Sequence, residues 1–267
     1  MFRRLILALT LTFVASMSSA QTRSVFIEDL TWPELRDAIA GGASSAIIMA
    51  GGIEQNGPHM ALIKHNLISR YAAGQIAQRL GNALVYPIVP VSMAGEPISK
   101  TGHMRLPGTI SLSSEVYVGI MRQIALSAVS AGFKNVFIMG EHGQGQGELR
   151  TAAESLDADW RNRGARVFFV GDFNGKANQL IDTYLKEHNL RPGGHAAVGE
   201  TSQVMFLDEG HRWIREDKLP ISKAGPTAET GVNDPSGATP EIGKALLEFK
   251  INSAVEQIRQ LLAPKTP

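Results

Sequence analysis

The sequence contains no cysteine, which excludes a disulfide, a thiolate nucleophile and any cysteine-ligated zinc site. Any metal must therefore be held by histidine, aspartate or glutamate. Runs of lysine or arginine interleaved with aromatics are also missing, so nucleic-acid binding has no electrostatic footprint. The pattern G-x-x-x-x-G-K-[ST] is absent, which removes the usual phosphate cradle. Repeats and low-complexity tracts are lacking as well. The apolar run near the start, Leu5 to Val14, is too short to span a bilayer as a helix.

That short run has a different meaning. Arg3 and Arg4 precede it and the small residues Ser18, Ser19 and Ala20 follow it, the arrangement of a secretory signal cleaved after Ala20. The expectation is a signal over residues 1–20 and one domain over residues 21–267, exported to the periplasm or beyond, with no membrane contact after cleavage. Cleavage would leave 26 − 2 = 24 basic against 25 acidic side chains, so the formal +1 of the whole chain is no sign of a polyanionic partner. With 43% hydrophobic and 19% charged residues, 267 residues suffice for one large buried core.

Apolar runs alternate with helical patterns, which predicts a three-layer α/β/α fold around a mostly parallel sheet. A helix begins at Thr31, with Glu34 three residues on and Pro33 in its first turn, and stops at Gly41-Gly42. Strands are expected at 46–50, 83–91, 135–139 and 166–170. Helices are expected from about 67 to 79, from Ser113, from near Glu148 to Arg163, over 178–187, over 196–206, and again from Ile242. Residues 217–240, rich in Pro, Gly, Ser and Thr, read as a long ordered loop.

In sheets of this kind ligands bind beyond the carboxyl ends of the strands, where the chain turns into the next helix. Two loops so placed carry chemistry. Gly51-Gly52-Ile53-Glu54-Gln55-Asn56-Gly57-Pro58-His59 leads to His65, pairing a hard carboxylate with a borderline nitrogen donor in a mixture suited to zinc, manganese or iron. The second loop, Gly140 to Gly147, sets His142 among glycines that let the backbone approach a ligand. A third cluster, from Gly193 to Ser202, places His195 and Glu200 five residues apart.

Taken together these clusters resemble the creatininase family. The stretch from Gly52 to His59 is similar to the family's G-S-x-E-Q-H-G-P-H motif, with matching spacing on to position 65. His103 to Leu112 resembles its H-x-x-F-P-G-T-I-S-L segment, and Gly140 to Gly145 its N-G-H-G-G-N loop. His195 through Ser202 matches H-A-x-x-x-E-T-S, and Asn233-Asp234-Pro235 with Ala238 to Gly243 matches a late G-D-P element.

The resemblance implies two metals, one on Glu54 and His142, the other on the positions filled here by Asn56 and Gln144, with position 65 as the bridge. Neutral amides are poor substitutes for an imidazole and a carboxylate, and a neutral imidazole at position 65 has one lone pair and cannot bridge. One divalent metal is therefore expected, zinc or manganese with iron possible, on Glu54, His65 and His142. The implied reaction is hydrolysis of a cyclic or linear small-molecule amide, with Glu200 binding or orienting water and His195 protonating the departing nitrogen. Asn56, His59, His103 and Gln144 would face substrate or support the ligands.

Creatinine itself is not the expected substrate, because no tryptophan follows Trp160 until Trp213, with Phe168, Phe169 and Phe173 between. Two other readings use the same residues: an iron redox or isomerase centre, and a non-catalytic binding protein. The resemblance also implies a homo-oligomer, a hexamer in the family pattern.

Overall fold

The computed structural model describes residues 24–222 and 231–264. The expected signal lies outside the described residues. Four parallel strands form one sheet: β1 (Ser45–Ala50), β2 (Ala83–Val85), β3 (Asn135–Gly140) and β4 (Arg166–Phe169), in the order β2-β1-β3-β4. Around it run α1 (Trp32–Ala40), α2 (Lys64–Leu80), α3 (Ser114–Ala131), α4 (Gln146–Trp160), α5 (Gly175–Glu187), α6 (Val198–Leu207), a single turn α7 (Leu219–Ser222) and α8 (Pro240–Leu262). The layered α/β/α architecture expected from the sequence is the one found. No helix among the described residues is long and apolar enough to cross a membrane.

Alternation along the central strands builds the two cores. Ile47, Met49, Phe137 and Met139 face α2 and α8, meeting Ile68, Ala72, Ile76, Leu247 and Ile251. The intervening Ala46, Ile48, Val136 and Ile138 face α3 and α4, against Tyr117, Met121, Leu149 and Leu156. Successive side chains of a strand point to opposite faces, so a strand buried on both reads as a continuous apolar run, as β1 does.

Two boundaries differ from expectation. The second strand ends at Val85 instead of Val91, because Pro87 and Pro90 lack the N–H that a ladder needs. Helix α2 starts at Lys64, three residues early, which places Lys64 and His65 in its first turn. The expected loop over residues 217–240 contains α7, and α8 begins at Pro240 with Thr239 accepting the Ile242 N–H.

Positioning of the third cluster depends on α6 against α8. A methyl group at Gly243 would lie 1.9 Å from the Ser202 carbonyl oxygen, so only glycine permits this approach. The Ser202 hydroxyl in turn accepts the Thr239 N–H at 3.2 Å.

A histidine-rich candidate metal centre

Strands β1 and β3 are neighbours with Ala50 opposite Gly140, so the loops that leave them emerge side by side. Glu141 extends the pairing by one residue, its N–H reaching Ala50 O at 2.9 Å. Glu54 and His142 are thereby brought together, as their positions past the strand ends imply. Gly52 makes the packing possible: a Cβ there would meet Ser92 Oγ at 2.9 Å and the rings of His65 and His142 at 3.5 Å.

The Glu54 carboxylate is the hub, almost fully buried. Its Oε2 lies 2.6 Å from His142 Nε2 and 3.6 Å from His103 Nε2. Its Oε1 lies 2.6 Å from His65 Nε2, 3.0 Å from Lys64 Nζ and 3.4 Å from His195 Nδ1. Burial would push this carboxyl up, but the Lys64 ammonium and hydrogen bonds from His142 and His65 outweigh it and hold the group far below the usual carboxylate range.

His103 arrives from outside the sheet. Thr109 donates to His103 O at 2.9 Å and accepts the Gln55 N–H at 3.1 Å, while Ile110 N–H binds Ile53 O. The segment His103 to Leu112 is thus stitched to the Glu54 loop. Among the described residues, Glu54, His103 and His142 each offer a ligating atom within 4.8 Å of the other two. The expected trio had His65 in the third place. His65 is at the site too, but on the opposite oxygen of Glu54, with Nδ1 bonded to the Glu141 carboxylate. Burial opposes its protonation; Glu141 overrides that and raises the imidazole to about 9.

Three charged groups were not singled out from the sequence. Lys64 is fully buried, with Nζ 3.0 Å from Glu54 Oε1 and 2.5 Å from Glu200 Oε2. Burial disfavours its ammonium, yet Glu200 and Glu54 more than compensate and raise its pKa. Glu141 lies buried behind His65, and Lys250 of α8 reaches Glu141 Oε1 at 3.3 Å. Burial would raise the Glu141 carboxyl; His65 and Lys250 instead hold it low. The signals available were adjacency alone: Lys64 precedes His65 and Glu141 precedes His142.

His195 is set by a reciprocal pair of hydrogen bonds, His195 N–H to Asn233 Oδ1 and Asn233 N–H to His195 O, both 2.8 Å. Its Nε2 lies 2.7 Å from Gln55 O, so that nitrogen carries the proton and Nδ1 faces Glu54 and, at 4.0 Å, Glu200. Burial, then the Lys64 charge, lower this imidazole to about 4, leaving it neutral at neutral pH. Glu200 Oε2 accepts from Lys64 and from the Ala196 N–H at 2.6 Å. Burial works against its carboxylate, and Lys64 prevails to bring it to about 2. Ala196 itself has φ 48, a left-handed conformation unfavourable for a residue with a Cβ, found where the chain joins the two expected catalytic groups.

The remaining expected residues divide. Asn56 is buried, but its amide donates to Glu54 O and Ala61 O and so braces the loop. His59 packs away from Glu54, with Nε2 3.0 Å from Thr201 Oγ1. Gln144 is exposed, and only its backbone meets His142. Gln55, unassigned from the sequence, links the histidines: its amide nitrogen lies 3.3 Å from His103 Nδ1 and donates to Gly231 O at 3.0 Å.

Four imidazoles, of His65, His103, His142 and His195, stand around one carboxylate, a donor set suited to a divalent transition metal. Comparison with known proteins agrees with the motifs. The family profile described as creatinine amidohydrolase matches residues 28–258. The chain is 24% identical to the creatinine amidohydrolase of Pseudomonas putida over 266 residues, covering 91% of this chain and 99% of that protein. It is 26% identical over 234 residues to the mycofactocin precursor peptide peptidase of Mycobacterium tuberculosis, covering 80% and 84%. Among solved structures, a mutant creatininase of Zn-Zn type superposes with a TM-score of 0.72 at 23% identity, over 91% of this chain and all of that one. A putative creatinine amidohydrolase from Bacteroides fragilis gives 0.59 at 19% identity, over 84% and 92%. With the profile spanning the domain from Glu28 to Ile258, the chain belongs to the creatininase family.

Proposed function

We propose that this protein is a metal-dependent amidohydrolase using one divalent ion, anchored by Glu54 and His142 with His65 as third ligand. The observation that carries the proposal is the Glu54 carboxylate, whose two oxygens each meet an imidazole Nε2 at 2.6 Å. His65 is preferred to His103 as third ligand because Glu141 holds its Nδ1, leaving Nε2 to face Glu54, the support that ligating histidines usually have. Such an ion, when bound, polarises an amide carbonyl and eases deprotonation of water.

The chain's own residues do the rest. His195, neutral with Nδ1 bare, takes a proton from the attacking water and returns it to the departing nitrogen. That order sets a base step before the acid role expected from the sequence, because Nδ1, which faces the site, carries no proton at neutral pH. Glu200 holds its Oε2 on Lys64 and Ala196, and its Oε1, which makes no hydrogen bond among the described residues, orients the water. His103, through the Gln55 amide, lines the opposite wall.

The substrate is an amide other than creatinine. Supporting this, Trp160 packs into the α3–α4 core and Trp213 into the α2–α8 core, while Trp32 is exposed on α1, so none stands among the site histidines. Export to the periplasm and assembly of several copies belong to the same proposal. The test is elemental analysis of the full chain followed by a panel of linear amides, lactams and creatinine. One zinc or manganese per chain with turnover of a non-creatinine amide supports the reading. Absence of metal, or iron with oxygen-dependent turnover, overturns it.

A further inference from the structure

Lys64 is costly where it stands. Its side chain is fully buried, and it opens α2, where the helix dipole disfavours a cation. Its Nζ reaches Glu54 Oε1 at 3.0 Å and Glu200 Oε2 at 2.5 Å. Two carboxylates converging on one point are what a divalent cation would require, and an ammonium already fills that point.

Charge counting leads the same way. Counting carboxylates and ammoniums alone, Glu54, Glu141 and Glu200 around the centre oppose Lys64 and Lys250, a net −1, since an imidazole that binds a metal gives up its proton. One divalent ion brings this to +1, whereas two would bring it to +3 in a largely buried space, a steep electrostatic cost. The two positions that the family resemblance assigns to a second ion offer no replacement. The Asn56 amide nitrogen is committed to backbone carbonyls, its buried Oδ1, without a hydrogen-bond partner among the described residues, is a neutral oxygen where an imidazole would be needed, and Gln144 is exposed.

We propose that the Lys64 ammonium stands in for a second divalent cation, holding Glu54 and Glu200 on its two sides and limiting the centre to one metal. Lys64 is a positioning residue: it acts through those two carboxylates. This rests on the reading that Glu54 holds a metal, and it predicts that deleting the ammonium reopens the second place.

The experiment compares the native full chain with Lys64→Ala, each saturated with manganese(II), freed of excess ion and measured by elemental mass spectrometry and electron paramagnetic resonance. The native chain should retain one ion with an isolated-ion spectrum, and Lys64→Ala should retain two with an exchange-coupled spectrum. Two ions in the native chain overturn the proposal, and so does a folded Lys64→Ala that retains one. Should the alanine variant fail to fold, Lys64→Thr replaces it, and the native measurement still decides against the proposal if a coupled pair appears. No ion in either protein removes the metal reading itself; one in both leaves that reading standing and removes only the role of Lys64.

Discussion

The two oxygens of Glu54 face different chemistry. On the Oε2 side stand His142 and His103, from the strand-end loop and the stitched segment; on the Oε1 side stand Lys64, His65 and His195, backed by Glu141 and Glu200. One side offers nitrogen donors alone; the other sets the donor His65 in a lattice of alternating charge. A single buried carboxylate can thus help to hold a metal while an ammonium fixes its geometry. The cost is that each group on the charged side depends on its neighbours.

The sharpest way to break the comparison is to remove its hub. Glu54→Ala should lose the bound metal and lower kcat roughly 1,000-fold or more, measured by metal content and turnover on one preparation. His195→Ala should keep the metal and lower kcat by about 10²–10⁴; turnover at the native rate would remove His195 from proton transfer.

The third-ligand assignment is tested by paired variants. His65→Ala should weaken metal affinity by about 100-fold and His103→Ala by about 10-fold, read by competition with a chelating dye. The reverse order would make His103 the third ligand, as the grouping of Glu54, His103 and His142 by distance alone implies.

A smaller effect separates the site from its support. His59, buried against Thr201, has its imidazole lowered by burial and then by Lys64, from 6.5 to about 4. Its neutral form is favoured on folding, so the unfolded chain binds the proton more readily between these values. Stability should therefore be fully present above pH 6.5 and decline as pH falls toward 4, by at most about 3.5 kcal/mol, at about 1.4 kcal/mol per unit. Denaturant melts of native protein and His59→Gln across this range should differ in slope, with the variant flatter; identical slopes would remove His59 as the source.

Much of this was legible in the sequence, for identifiable reasons. The α/β/α layering follows from apolar strands alternating with amphipathic helices, and Glu54 and His142 stood out because glycine-rich loops after β1 and β3 aim at one crevice. The second strand reads too long in the sequence because its apolar pattern continues past Val85, whereas Pro87 breaks the ladder and pairing resumes only as a bridge between Val89 and Ala50. The supporting charges were hidden for another reason. A lysine in the first turn of a helix is ordinarily solvated, and only the fold carries Glu200, 136 residues further on, over Lys64 and sets that lysine against the buried Glu54. Likewise the sequence placed His65 and His103 near one site without showing which oxygen of Glu54 each would meet.

The most direct test is anomalous diffraction from crystals of the full chain loaded with zinc or manganese. One peak per chain is predicted, against Glu54, His65 and His142, with the Lys64 ammonium still lying between Glu54 and Glu200. A second peak in the place of that ammonium, or no peak at Glu54, would contradict the account.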